Sequence, residues 1–293
     1  MFTEEPSAEQ TPLTTEPNVP SEAPANEPFL LPPPPSPPTT PSGNLRWSRL
    51  LLGIGTWFVS LLLLLFVPLI VALPYFFYVW RTRGMPRADV LANDKTLLFI
   101  SILGIVPTHL LTLLLVWLVM TEWRKRPFWK TIGFEWPGYA SPLVSTFACI
   151  LIAASLFIIG GLVTSRWGGN KTQLDLLVES SLAARFATAF VAVFTAPLVE
   201  ELIYRGVLYS AVEQALGRVV AVGAISLLFA GVHVFQYQNN IAVIVVITLL
   251  SFTLTLVRAY TGKLLPSFVI HLAFNGIQSV VIVLAPFFGW GSS

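Results

Sequence analysis

A single cysteine, Cys149, is all the chain offers in thiol chemistry. One thiol excludes an intrachain disulfide and a thiolate-held metal cluster. Set in an apolar run, it reads as a small packing residue. Charge is scarce too. Asp, Glu, Lys and Arg make up 11% of the 293 residues, against about 25% in an ordinary soluble domain. The formal net charge is only +2, and the Lys and Arg residues are scattered at segment ends, so no face is basic enough for nucleic acid. The start of the chain lacks the basic stretch and apolar run of a secretory signal, and the expectation is that it carries none.

What the chain has instead is apolar length. Hydrophobic residues are 55% of the total, the composition of a protein that crosses a bilayer repeatedly. The first 44 residues differ, with 13 of the 23 prolines, six glutamates and no Lys or Arg. Such a stretch cannot bury a core, and residues 1–44 are expected to be a disordered, Pro-rich tail. Beyond it, apolar runs near the ~20 residues needed to span a ~30 Å hydrocarbon layer recur. They are expected at about 50–80, 97–120, 142–163, 186–208, 219–235, 241–257 and 264–288. The first is broken by Pro68 and Pro74 and should tilt or kink. Leu174, Leu177, Val178 and Leu182 recur at helical spacing among polar residues, as in a short helix lying along the interface. The fold class is therefore all-α: a polytopic membrane helix bundle of about seven transmembrane helices. Residues 45–171 form its N-terminal helices and 172–288 its chemically active core. Basic residues follow both the first and the second span, so their count leaves the orientation open.

The fourth run contains Glu200, Glu201 and Arg205. Each charge at membrane depth costs roughly 2.5–3.5 kcal/mol, so three together call for partners, a water-filled cavity or a chemical role. Successive helical residues point ~100° apart, so the two glutamates cannot share a face, whereas Glu201 and Arg205 at i, i+4 can pair. That pairing leaves Glu200 free to face a cavity. Pro197 suits a first helical turn, and the helix is expected to restart there, placing Glu200 near a positive dipole end. A helix-pinning ion network would explain these three residues alone. All three histidines, however, also lie in apolar segments: His109, His233 and His271. His271 and Asn275 share a helical face, as do Phe229 and His233.

Glu200-Glu201-Leu-Ile-Tyr-Arg205 matches E-E-x-x-x-R, Phe229-Ala-Gly-Val-His233 matches F-x-x-x-H, and His271-Leu-Ala-Phe-Asn275 matches H-x-x-x-N. In this order, on separate apolar segments, with Ala-Pro before the acidic pair and Gly206 after the arginine, they resemble the CPBP family. These are the CAAX prenyl endopeptidase and bacteriocin-processing intramembrane proteases, also called the Abi family. The resemblance covers about 182–288. It implies an intramembrane endopeptidase in which Glu200 and His233 activate a water while His271 and Asn275 orient it or stabilise the oxyanion. Glu201, Arg205 and Phe229 would support the site.

Two readings of cofactor use stay open: a Zn²⁺ held by Glu200, His233 and His271, or no metal. There is no H-E-x-x-H, so zincin-like and site-2-protease-like readings fail. Asp89, Asp94 and Asp175 all lie outside the spans, which argues against a membrane aspartyl protease, and no serine has the flanks of a membrane serine protease. His109 matches none of the motifs and is read as packing, with lining of the cavity as the alternative. The different-class alternative is a non-catalytic or proton- or solute-transporting protein using the same polar cluster. Transporters often show paired halves, whereas these motifs all sit in the C-terminal half. The partners expected are the lipid bilayer and a membrane-anchored peptide or protein substrate of unspecified identity. The expected location is a multi-pass position in a bacterial plasma membrane.

Overall fold

The computed structural model describes residues 43–168, 172–237 and 240–288. The expected tail falls almost wholly outside them. Among the described residues every regular element is helical. Large apolar side chains such as Leu51, Leu65, Ile70, Leu143, Phe147 and Leu162 point outward, as they must where hydrocarbon is the solvent. Six helices are long and apolar enough to cross a membrane, and a shorter apolar helix begins at Arg218. The chain is an integral, multi-pass membrane protein, and this shorter helix is the expected fifth segment.

Helix α1 (Gly43–Arg83) runs 41 residues with Pro68 and Pro74 inside it. At 1.5 Å per residue it is ~60 Å long, twice the hydrocarbon thickness. After the short α2 (Ala88–Ala92), α3 (Lys95–Met120) returns beside α1. Its start is fixed by Asp94, which accepts from the Thr96 and Leu97 amides and from the Tyr75 hydroxyl of α1. The two helices come into tight contact at Gly104, where an added Cβ would lie 2.7 Å from Pro68 Cα. Only glycine permits that contact.

Left-handed backbone at Glu122, Trp123 and Arg124 turns the chain after α3. Then come α4 (Phe128–Ile132) and α5 (Pro142–Trp167), the latter begun by Ser141 as cap and Pro142 in the first turn. Of the residues expected on one short interfacial helix, Leu174, Leu177 and Val178 lie on α6 (Gln173–Ser180), opened by a reciprocal Thr172–Asp175 capping box, whereas Leu182 begins the next helix. It ends at Ser181, whose side chain caps the next helix.

That next rod supplies the acidic pair. It consists of α7 (Leu182–Phe190), a π-helical turn (Val191–Thr195), α8 (Ala196–Glu201), a second π segment (Leu202–Leu208) and α9 (Tyr209–Leu216). As expected, an α segment begins with Pro197 in its first turn, but the π turn runs directly into it and leaves no open helix end beside Glu200. Proline brings no amide hydrogen, and the wider π register before it lets the rod continue. Helices α10 (Arg218–Tyr237), α11 (Ile241–Thr261, ended by left-handed Gly262) and α12 (Leu265–Phe288) complete the bundle. One apolar core surrounds the second π segment and joins residues of α1, α3, α9, α10 and α11. Another packs α5, α11 and α12. Together they hold α10 and α12 against the acidic rod.

Candidate active site

Arg205 and Glu201 are wholly buried. As their i, i+4 spacing predicts, Arg205 Nη1 donates to Glu201 Oε1 at 2.9 Å. Arg205 Nη2 donates to the backbone carbonyl and the hydroxyl of Ser251, both at 3.1 Å, and Nε to Thr255 Oγ1 at 3.4 Å. The guanidinium lies over the Phe229 ring, 4.6 Å from its centroid. A buried charge survives only when its donors are used in this way. Glu201, Arg205 and Phe229, expected to support the site, are in mutual contact through Arg205. Ser251 and Thr255 escaped the sequence reading because they match no motif. Their i, i+4 spacing in an apolar helix was the available signal.

His271 stands between the glutamates. Its Nδ1 is 3.0 Å from the same Glu201 Oε1, and its Nε2 is 3.6 Å from Glu200 Oε2. A carboxylate accepts, so Nδ1 carries the hydrogen toward Glu201, and in the neutral ring Nε2 then offers a lone pair toward Glu200. His233 is fixed similarly, with Nδ1 donating to the Phe229 carbonyl at 2.8 Å. Its ring rests 4.6 Å from that of Phe229, which also meets Tyr204 edge-on at 4.9 Å. Phe229 thus touches Arg205, Tyr204 and His233, which accounts for an aromatic four residues before the histidine.

Glu200, His233, His271 and Asn275 all line one cavity of about 1000 Å³. The Glu200 side chain is 26% exposed, whereas that of Glu201 is 0%. The helical geometry anticipated this difference in exposure. Asn275 also braces the acidic rod, since its Nδ2 donates to the Ala192 carbonyl at 2.9 Å. Within the first π turn, Ala196 N–H bonds the carbonyl five residues back, at Val191. In the same register the next amide, that of Pro197, would meet Ala192 but has no hydrogen. Asn275 supplies the missing donor.

His109, read from sequence as packing, lines the same cavity together with Thr108 and Thr112. Its Nδ1 is 2.8 Å from Thr195 Oγ1. Of the two readings open from sequence, packing or cavity lining, the second describes its position, and its partner lies in a π turn that no periodicity announces. Tyr204, whose hydroxyl accepts from Trp57 Nε1 at 3.2 Å, is another lining residue without a motif.

Glu200 and His271 approach each other, but among the described residues no group of three His, Cys, Asp or Glu side chains converges as metal ligands. His233 does not complete the set, so this arrangement does not provide the three protein ligands of an open Zn²⁺ site.

Residues 182–277 match the model of the family described as type II CAAX prenyl endopeptidase Rce1-like. This Rce1-like domain agrees with the resemblance carried by the three motifs, and it contains every one of their residues. No curated protein and no solved structure is significantly similar to the chain.

Proposed function

We propose that the protein is an intramembrane endopeptidase that hydrolyses peptide bonds of membrane-anchored proteins by activating a water at Glu200. The observation that carries this reading is the approach of Glu200 Oε2 and His271 Nε2 to 3.6 Å on the wall of a cavity that His233 and Asn275 also line. Two acceptors too far apart to bond each other suit a shared water, which has one hydrogen for each.

In this reading Glu200 takes the proton as the water oxygen attacks the scissile carbonyl, with His233 assisting through its free Nε2. His271, aimed by Glu201, orients the water through its Nε2 lone pair, and the second amide hydrogen of Asn275 faces the developing oxyanion. Glu200 then returns the proton to the departing amine. Arg205 and Glu201 act only by holding His271 and the rod in place. The apolar part of the lining, including Leu61, Leu64, Ile102, Ile105 and Phe157, suits a substrate carrying a lipid anchor. The Rce1-like domain favours a protein with a prenylated C-terminal segment.

The test is cleavage of membrane-anchored peptides by the purified protein and by its Glu200→Ala and His233→Ala variants. Loss of cleavage in both supports the reading. If the wild type cleaves nothing while vesicles containing it show Glu200-dependent proton or solute flux, the transport reading replaces it. Repeating the assay with a chelator, then with Zn²⁺ restored, decides whether a metal takes part.

A further inference from the structure

His109 sits on α3, away from all three motifs, yet it reaches the rod that presents Glu200. Thr195 closes the first π turn, and its hydroxyl donates to the Val191 carbonyl at 3.2 Å. That hydrogen being used, the 2.8 Å contact with His109 has Nδ1 as donor and Thr195 Oγ1 as acceptor. On its other side the turn is held by Asn275 at Ala192. The π turn is therefore clamped between α3 and α12, five residues before Glu200.

A π turn holds one residue more than an α turn. Were it to relax to α geometry, every following residue would rotate by about 100° relative to α7. Such a rotation takes Glu200 off the cavity wall and separates Glu201 from His271. We propose that His109 is a positioning residue: through Thr195 it holds the π register that turns Glu200 toward the cavity. The inference deepens the peptidase reading and rests on it for the importance of Glu200. The Nδ1–H of His109 makes the contact, and its Nε2 carries no step.

The orientation of residue 200 can be read without any substrate. A Cys149→Ala, Glu200→Cys protein has one thiol, and its rate of modification by a charged, water-soluble methanethiosulfonate reports whether position 200 faces the cavity. Adding Thr195→Val or His109→Phe should slow modification about tenfold, as for a side chain that faces the cavity only a minor fraction of the time. Thr195→Ser keeps the acceptor and His109→Asn keeps a donor at the Nδ1 position, so both should preserve the rate and show that the fold tolerates change there. His109→Gln places its donor at the Nε2 position and should not preserve it. With Glu200 intact, Thr195→Val should lower kcat about 10–100-fold with little change in KM.

An unchanged modification rate in Thr195→Val overturns the proposal, as does rescue by His109→Gln but not His109→Asn. Because the labelling arm needs no catalysis, failure of the peptidase reading would leave it interpretable.

Discussion

Replacing Arg205 by methionine removes one partner of a fully buried ion pair while nearly preserving the length of the side chain. Glu201 would keep the bond from His271 Nδ1 but lose the cation that balances its charge. Leaving one member of a buried pair uncompensated costs about 3–5 kcal/mol. The lost stacking on Phe229 and the lost bonds to Ser251 and Thr255 belong to the same cluster and do not add independently. At about 2–4 °C per kcal/mol for a domain of this size, Arg205→Met should unfold about 6–20 °C below the wild type in detergent. The double variant Glu201→Leu, Arg205→Met removes both charges and should lie above the sum of its single variants by more than about 1 kcal/mol. Thermal unfolding followed by retention of the monodisperse species on size-exclusion chromatography reads both effects. An Arg205→Met protein within about 1 kcal/mol of wild type, or strictly additive single variants, would refute the claim that this pair pins the rod.

Three further outcomes follow from other contacts. Gly104→Ala places a methyl group 2.7 Å from Pro68 Cα and should cost about 1–3 kcal/mol by forcing α1 and α3 apart, measurable in the same unfolding assay. Asn275→Ala leaves the Ala192 carbonyl without its side-chain donor and should cost about 1–3 kcal/mol; Asn275→Asp, which cannot donate there when ionised, should be no better. Lys263, hydrogen-bonded to the exposed Glu135 between α4 and α5, holds that carboxyl below its ordinary value of 4.5. A lowered carboxyl pKa contributes stability that is complete above the ordinary value and drains away as pH falls through the lowered one. Thermal stability of the wild type should therefore fall slightly more below that pH than in Lys263→Met, and identical acid profiles would count against the contact.

The architecture was largely legible because a bilayer makes hydropathy a direct readout of spanning helices. Glu201–Arg205 was legible for a similar reason, since i, i+4 spacing alone decides which residues meet on a helix. The convergence of Glu200, His233, His271 and Asn275 on one cavity was expected from the motif resemblance, not from any periodicity. What stayed hidden depends on register shifts. Two π segments in the acidic rod have no compositional signature, and Pro197, although it stands in the first turn of α8, could not announce that a π turn joins α8 to α7. His109 followed the same pattern, its partner Thr195 becoming meaningful only once the turn was seen.

The proposed activation of water at Glu200 is the central claim, and isotope incorporation tests it directly. In water enriched in oxygen-18, the wild-type protein acting on a membrane-anchored peptide should place one heavy oxygen in the new C-terminal carboxylate of the product, seen by mass spectrometry. Glu200→Gln should yield almost no product under the same conditions. Cleavage without heavy oxygen, or equal labelled cleavage by Glu200→Gln, would contradict it.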